Sequence, residues 1–347
     1  MPDIQLRFQR DMLVLSAPID AMLAQQGINA ALDRQYLNLM EPDAIRDALK
    51  LEVLAGAQCI VATTEDITQA RLAHLRMDSD ASRLANAALE IANEVQPQHI
   101  LAEIGPCGLP LDASSKSSLN ENRQQYAGAA RACADGTFDA FFLNGFSDIT
   151  DLKCALMGVA QVNDKPIFAS VTVGSAPIAD APEEPVDTDE PSDVIKGMAF
   201  DLPLSAGYSI VDDQISPPVP AALRSSLNPE LFDEALDVMV DLGASVVGFE
   251  TADSIALALE YAEKAARHTQ LPILAQLRVT KQPDTSPRRN LVPLDSIDEY
   301  TPDTMAGAAV KLFGAGVQFL RASGIATPAY TGALASTTAG LDVRQRS

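Results

Sequence analysis

The residues of this sequence that could do chemistry come at the ends of short apolar segments, each typical of a buried β-strand. Polar and charged side chains, two arginines among them, occupy these ends. The set is Thr63, Thr64, Glu65, Glu103, Cys107, Asn144, Glu250, Arg278, Arg321 and Ser323. If the strands are parallel and form a barrel, their carboxyl ends meet at one face and these side chains converge on one pocket. We therefore expect a ligand site for a small molecule there.

The two arginines have two alternative roles. With the nearby carboxylates, Arg278 and Arg321 could hold a zwitterion or a small carboxylic acid through bidentate hydrogen bonds. Alternatively, each arginine neutralises Glu103 or Glu250 in a buried ion-pair network that binds no ligand. The sequence leaves both alternatives open.

Thiols and imidazoles form no pattern typical of a catalytic or metal site. Cys107 lies near the expected rim, but it would need a cationic neighbour to become reactive, and otherwise it is an inert packed thiol. No CxxC pair, GxGxxG loop or GxxxxGK loop is present. The remaining cysteines and the histidines fall on strand starts, strand interiors or helices: Cys59, Cys133, Cys154, His74, His99 and His268. We assign no catalytic residue and predict no metal ligand.

Apolar segments alternate with longer amphipathic ones, which predicts eight βα units. The predicted strands are Met12–Ser16, Gln58–Ala62, His99–Ile104, Phe138–Leu143, Pro166–Val173, Ser245–Phe249, Pro272–Val279 and Val317–Arg321. The predicted helices are Pro42–Gly56, Asp66–Val95, Asn120–Gly136, Asp148–Asn163, Pro229–Gly243, Asp253–His268, Pro302–Gly314 and Pro328–Leu334. Eight consecutive units favour a single α/β domain folded as a (β/α)₈ TIM barrel over an open doubly wound sheet.

One segment interrupts this alternation. Residues 174–226 are rich in proline and acidic residues and follow the fifth predicted strand. A loop of this length is either a lid over the site or a disordered insertion. We expect the barrel to span residues 1–340 and residues 341–347 to form a frayed tail.

The composition excludes several classes of protein. The formal net charge is −22, so the chain has no basic surface for nucleic acid. No apolar segment approaches the length needed to cross a membrane, and the first residues lack an export pattern. Unpaired cysteines are typical of a reducing compartment. We expect a cytoplasmic protein that binds neither nucleic acid nor membrane.

Five segments carry a family resemblance. They are GAQCIVATTEDITQARL, ILAEIGPCGLPL, GTFDAFFLNGFSDITDLKCALMGV, PIFASVTV and FGAGVQFLRASGIATPAYTGAL. In this order and with barrel spacing, they resemble the homocysteine S-methyltransferase family, the homocysteine-binding barrel of cobalamin-dependent methionine synthase and betaine–homocysteine methyltransferase. The resemblance implies methyl transfer within methionine metabolism on a TIM barrel. It also implies a zinc ion, held by three cysteine thiolates, that activates the acceptor thiol.

The residues at the three zinc-ligand positions depart from that pattern. The family's first ligand is replaced by Thr251, and its paired cysteines by Ser323 and Gly324. A family carboxylate after the fourth strand, which pairs with the amino group of homocysteine, is replaced by Asn144. Because hydroxyls and glycine do not hold zinc, we expect a degenerate zinc site and no resident cofactor.

Two functions are compatible with these departures. The first is methyl transfer to a small acceptor without thiolate-bound zinc, for which a corrinoid or folate methyl carrier is one candidate donor. The second is a non-catalytic barrel that binds a ligand or regulates a partner subunit, such as a corrinoid protein. An intact barrel does not decide between them.

Overall fold

Eight parallel strands close into a single barrel in the structure, a computed structural model of the 347-residue chain. It describes residues 3–28, 34–73, 75–174, 226–281 and 300–343, together with the backbone of short strands between positions 178 and 224. The barrel strands are β1 (Leu13–Leu15), β2 (Cys59–Ala62), β3 (His99–Ile104), β4 (Ala140–Phe146), β5 (Ile167–Thr172), β6 (Val246–Thr251), β7 (Ile273–Val279) and β8 (Val317–Gly324). Each strand pairs with the next along the chain, and β8 closes onto β1 through Leu13–Phe319 register. The predicted closed α/β barrel is confirmed.

Helices connect the strands and cover the outside of the barrel. They are α1 (Asp20–Gln25), α2 (Arg34–Met40), α3 (Pro42–Ala55), α4 (Gln69–Ala73), α5 (Ala81–Glu94), α6 (Lys116–Ala132), α7 (Ile149–Ala160), α8 (Phe232–Asp241), α9 (Ile255–His268), α10 (Pro302–Gly314) and α11 (Pro328–Thr338). In the described part of the chain, none of them combines the length and the apolar character needed to cross a bilayer.

The predicted helix Asp66–Val95 is wrong as a continuous element. The structure has two helices there, α4 and α5, separated by a turn in which Arg76 adopts φ +56°. A left-handed residue cannot continue an α-helix. The sequence prediction also missed α1 and α2, because helices of one or two turns carry too few residues for a helical period to show.

Glycine is required where α3 turns into β2. Gly56 ends the helix at φ +108°, and a Cβ atom there would lie 2.7 Å from the Cβ atom of Ala335. Gly316 before β8 is similar, with φ +110° and a Cβ position 2.9 Å from that of Ala266. These tight turns let each strand begin directly after its helix, which sets the height of the strand in the barrel.

The amino-terminal half of the barrel interior is apolar. The first described turn, Ile4–Arg7, covers that end, and Phe8 packs edge-on against Phe168 and Phe319 at ring-centroid distances of 6.0 and 5.9 Å. The buried side chains of this layer are Ile4, Leu13, Leu15, Cys59, Val61, Leu101, Ala140, Phe142, Phe168, Val246, Leu274 and Phe319. Apolar side chains therefore fill the barrel interior at its amino-terminal end in the described part of the chain.

The long insertion begins and ends at the carboxyl-terminal end of β5. Ser226 donates a hydrogen bond from Oγ to the carbonyl oxygen of Gly174 at 3.1 Å, and Val173 pairs with Leu227. Within the insertion, residues 178–179 pair with 223–224 and residues 209–211 pair with 214–216. The question of a lid or a disordered segment falls on residues outside the described ones, as do residues 344–347 of the tail. In the described part of the tail, Asp342 forms a β-bridge with Asp11.

Candidate functional site

The carboxyl-terminal half of the barrel interior is polar. Side chains alternate between the two faces of a strand, so the residue two positions beyond an apolar interior residue also points inward. Phe319 is thus followed by Arg321, and Phe142 by Asn144. All nine ligand-site residues predicted from the sequence are buried in this region: Thr63, Thr64, Glu65, Glu103, Asn144, Glu250, Arg278, Arg321 and Ser323. We call this region the mouth.

Arg321 lies at the base of the mouth and is held on several sides. Its Nε donates to the carbonyl oxygen of Ser16 at 2.9 Å. Its Nη1 donates to Oε1 of Gln276 at 3.2 Å and lies 3.4 Å from Oε1 of Glu103. The guanidinium carbon lies 5.4 Å from the ring centre of Phe142. These contacts fix the guanidinium group rather than leave it extended towards a ligand.

Gln276 joins three strands and was not found from the sequence. Its Nε2 donates to Oδ1 of Asn144 at 2.7 Å and to Oγ of Ser170 at 2.8 Å. Asn144 in turn donates from Nδ2 to Oε1 of Glu103 at 2.7 Å. Gln276 lies two residues before Arg278 on the same face of β7, and this alternation is the signal that could have revealed it.

A second ion pair lies nearer the opening. Nη1 of Arg278 is 3.3 Å from Oε1 of Glu250, and Thr172 donates from Oγ1 to Oε2 of Glu250 at 3.1 Å. Burial lowers the pKa of Arg278, and the negative charge of Glu65 opposes this effect. Because Glu65 follows β2 and Arg278 lies on β7, the two sides of the mouth are close enough to interact electrostatically.

Helices α1 and α2, which the sequence prediction missed, bring a third arginine to the mouth. Nη1 of Arg34 is 2.5 Å from Oε2 of Glu65, and its Nη2 is 2.6 Å from Oδ1 of Asp20. Burial alone would lower the pKa of Arg34, but Asp20, Glu65 and other carboxylates raise it overall. Asn38 on α2 donates to the carbonyl oxygen of Thr63 at 3.1 Å. Helices α1 and α2 therefore contribute residues to one side of the mouth.

The electrostatic environment of Glu103 differs from that of an exposed carboxylate. Burial raises the pKa of Glu103, and the negative charge of Glu65 raises it further. The charge of Arg321, the hydrogen bond from Asn144 and the charge of Arg34 lower it, but the net direction is upward. Glu103 therefore keeps a proton to higher pH than an ordinary glutamate does.

The residues at the expected zinc-ligand positions do not fit a thiolate site. Thr251 uses its Oγ1 to accept a hydrogen bond from the amide of Asp253 at 3.1 Å. Gly324 has φ +68°, and a Cβ atom there would lie 2.3 Å from the carbonyl oxygen of Val279, so a cysteine does not fit. Among the described residues, no three histidines, cysteines or acidic residues are grouped so that they could hold a metal ion.

Ser323 is 2% exposed, and its Oγ has no hydrogen-bond partner in the part of the chain that the structure describes. A buried hydroxyl of this kind lacks the hydrogen bond that folding normally supplies. On β8 it pairs in register with Arg278 on β7. This hydroxyl therefore offers a polar contact that a bound ligand can complete.

The cysteines are buried thiols away from the mouth carboxylates. Sγ of Cys107 donates to Oδ1 of Asn122 at 3.1 Å, and burial raises the pKa of this thiol. Burial raises the pKa of Cys133 to about 12 and that of Cys154 to about 11, and it also raises the pKa of Cys59. None of the four thiols is therefore a ready nucleophile at neutral pH.

The two described histidines, His99 and His268, also lie outside the mouth. His99 is at the amino-terminal start of β3, where Nη1 of Arg7 is 3.4 Å from its Nε2. His268 ends α9 on the outer surface, 2.8 Å from Oδ1 of Asp237. His74 lies outside the described residues. The chemistry available in the mouth is thus that of carboxylates, guanidinium groups, amides and hydroxyls.

The chain is similar in sequence to one protein family and in fold to several solved structures. A family model described as homocysteine S-methyltransferase matches residues 13–208. No curated protein matches the sequence. Among solved structures, the chain is similar to the homocysteine methyltransferase MmuM from Escherichia coli in its metallated and oxidized forms, each with a TM-score of 0.65 and 13% identity over 94% of this chain and 96% of that chain. The apo form of MmuM gives a TM-score of 0.60 and 12% identity. At such low identity the structural match shows the fold alone.

Proposed function

The chain belongs to the homocysteine S-methyltransferase family, and we propose that it transfers a methyl group to a small acceptor bound in the mouth, without thiolate-bound zinc. The family match supports methyl transfer. The donor set at Thr251, Ser323 and Gly324 supports a reaction without zinc, because none of these side chains binds the metal as a thiolate does.

One observation carries the proposal. Three carboxylates and three arginines face one another within the mouth, as the pairs Glu65–Arg34, Glu103–Arg321 and Glu250–Arg278. A ligand that carries both charges, or a single carboxylate, can bind by exchanging with one member of a pair. The strongly acidic chain would otherwise repel an anion. We infer that the acceptor is a zwitterion or a small carboxylic acid.

Ser323 and Arg278 are the best-placed contacts for a ligand carboxylate. The Oγ of Ser323 can donate to a carboxylate oxygen without breaking another hydrogen bond, since it has none within the described residues. Arg278 pairs in register with it and lies nearer the opening than Arg321. Arg321, held by Ser16, Glu103 and Gln276, serves as the floor of the site.

The methyl donor in this proposal is an onium compound, such as a sulfonium or a quaternary ammonium ion, whose methyl group is open to direct displacement. A corrinoid or folate methyl carrier, the former on a corrinoid protein, is the alternative donor. We further propose a cytoplasmic location, because the cysteines of the chain are free thiols. Cell fractionation tests the location.

A methyl-transfer assay tests the activity. Purified protein is incubated with 3-mercaptopropionate as acceptor and with S-methylmethionine, betaine, methyltetrahydrofolate or methylcobalamin as isotopically labelled donor. We expect labelled product from the carboxylate thiol, and little or no methionine when homocysteine replaces it. Without zinc, both thiols are mostly protonated at neutral pH, so the expected difference rests on Asn144, which provides no charge for the ammonium group of homocysteine. Ligand binding without turnover would instead indicate a non-catalytic barrel.

A thermal-shift screen tests the binding site separately. Small carboxylates should raise the melting temperature of the wild type, and Ser323→Ala should lose this effect. The melting temperature of the unliganded variant should stay unchanged, because the hydroxyl has no partner to lose. Ser336→Ala on the exposed face of α11 is the matched control. A ligand shift that persists in Ser323→Ala would place the ligand elsewhere.

A further inference from the structure

We propose that Glu103 is the proton acceptor of the mouth, and that its Oε2 takes the proton that the acceptor loses as it is methylated. This inference rests on the proposed methyl transfer and assigns a catalytic residue to it. A neutral acceptor that gains a methyl group must release a proton. In a mouth where no thiolate-bound metal lowers the pKa of the acceptor, a side chain has to receive that proton.

The two oxygens of Glu103 have different surroundings. Oε1 accepts a hydrogen bond from Nδ2 of Asn144 at 2.7 Å and lies 3.4 Å from Nη1 of Arg321. Within the described part of the chain, Oε2 has neither a hydrogen bond nor an ion pair. The side chain is 7% exposed. One oxygen therefore fixes the carboxylate in place, and the other is available to a ligand.

The other two carboxylates of the mouth are less suited to this role. Glu250 has both oxygens engaged, Oε1 with Arg278 and Oε2 with Thr172. Oε2 of Glu65 forms an ion pair with Arg34 at 2.5 Å. Both oxygens of Glu250 are thus held, and the 2.5 Å contact of Arg34 stabilises the charged form of Glu65 more than the 3.4 Å contact of Arg321 stabilises that of Glu103.

The charges around Glu103 tune it for proton transfer. The charged groups that face it are Arg321 on β8, Glu65 after β2 and Arg34 on α2. Burial and the charge of Glu65 raise the pKa of Glu103 more than the two arginines and Asn144 lower it. A base is most effective when its pKa lies near the working pH, so the upward direction favours this role.

The step balances with an onium donor. The acceptor heteroatom, a thiol sulfur for 3-mercaptopropionate, attacks the donor methyl carbon, and a sulfur–carbon bond forms. The bond from the methyl carbon to the cationic heteroatom of the donor breaks, and its electron pair stays on that heteroatom, which becomes neutral. The thiol proton moves to Oε2 of Glu103, and solvent removes it after the product leaves.

Carboxyl titration tests the state of Glu103 without any ligand. Protein labelled with ¹³C at the glutamate side-chain carboxyl should show two resonances that titrate above the ordinary glutamate range, one from Glu103 and one from Glu52, whose pKa burial also raises. Glu103→Gln should remove one of them, and Glu52→Gln, the matched control outside the mouth, should remove the other. If the wild type shows no resonance that Glu103→Gln removes from this range, the inference is wrong. A wild-type spectrum with no glutamate resonance in this range overturns the inference even if a variant folds poorly.

The pH dependence of single-turnover methyl transfer tests the role in the reaction. With 3-mercaptopropionate and S-methylmethionine, the wild-type rate should rise with pH through the titration of Glu103. Glu103→Gln should lower the rate at least tenfold and lose that rise, whereas Glu52→Gln should keep both. An unchanged rate and pH profile in Glu103→Gln would overturn the inference while leaving the proposed function intact. Absence of turnover in the wild type with every donor would instead contradict the proposed function.

Discussion

The two ends of the barrel interior are built from the same strands but on opposite principles. At the amino-terminal end, Phe168 and Phe319 meet edge-on with ring centres 4.9 Å apart, and apolar burial fills the space. Two residues further along these strands, Ser170 and Arg321 belong to a network in which position depends on hydrogen bonds and charge. Apolar packing is non-directional and tolerates change in shape better than a buried polar network tolerates loss of a partner. The amino-terminal end therefore supplies packing that tolerates change, and the mouth supplies positioning that is lost when one partner is removed.

The most destabilising change we predict is at the mouth. Arg321→Leu leaves Glu103 without its ion-pair partner and the carbonyl oxygen of Ser16 without its side-chain donor. We expect a loss of about 3–5 kcal/mol in the free energy of unfolding, measured by urea denaturation. The double variant with Glu103→Leu should recover part of this loss. If the single variant costs less than 1 kcal/mol, the network is not coupled as described.

A change in the apolar layer should cost somewhat less. Leu274→Ala truncates a fully buried side chain that lies beneath Gln276. We expect a loss of about 3 kcal/mol in the free energy of unfolding, because apolar burial is lost and a cavity is left behind. Carboxylate binding at the mouth should persist in this variant when it is measured below its melting temperature. Loss of binding without loss of stability would contradict the division between the two ends.

Glu52 offers a smaller, pH-dependent test. This fully buried residue accepts hydrogen bonds on Oε2 from the amide of Ala17 at 3.0 Å and from Thr331 at 2.6 Å, while its Oε1 has no partner among the described residues. Burial raises its pKa, so its contribution to stability is present below the pKa of the unfolded chain and is lost as pH rises through the folded value. Glu52→Gln should thus stabilise the protein by about 1 kcal/mol at pH 8. The gain should vanish at pH 4, and urea denaturation at both pH values measures it.

The smallest expected effect is that of metal removal. Elemental analysis of the purified protein should find no stoichiometric zinc, and chelators should leave the melting temperature unchanged. A protein with a structural thiolate zinc site would instead contain bound zinc, and chelators would lower its melting temperature. One tightly bound zinc ion per chain would show that the alignment of Thr251, Ser323 and Gly324 with the ligand positions is incorrect.

The barrel could be predicted because its signals are local. Each strand is a short apolar segment, and most helices after residue 40 are long enough to show their period, the five-residue α4 excepted. A polar residue at the end of an apolar segment is equally easy to recognise in the sequence, and for this reason Glu103 and Arg321 could be placed in the mouth. These arguments use only strand alternation and the convergence of parallel strands.

Partners within the mouth could not be predicted in the same way. Whether Arg321 meets Glu103, and which oxygen it approaches, depends on strand register and side-chain conformation across the barrel, over 218 positions of sequence separation. Arg34 was missed because α2 is only 7 residues long, and nothing in its sequence indicates that it turns towards Glu65. Gln276 was missed because a neutral amide, unlike the charged Arg278 two positions later, does not by itself indicate an ion pair or a ligand site.

The backbone at Gly324 has a consequence for how this barrel can change. Gly324 has a left-handed backbone conformation, and a Cβ atom at this position would lie 2.3 Å from the carbonyl oxygen of Val279. Position 324 on β8 therefore admits no residue with a side chain unless the backbone beside β7 moves. Point substitutions at positions 251 and 323 could each introduce a thiol, but the third thiol has no room until that backbone moves. Point substitutions alone therefore cannot place three thiols at these positions, because the last step requires a rebuilt strand. New activities must then arise from the carboxylates and arginines already in place.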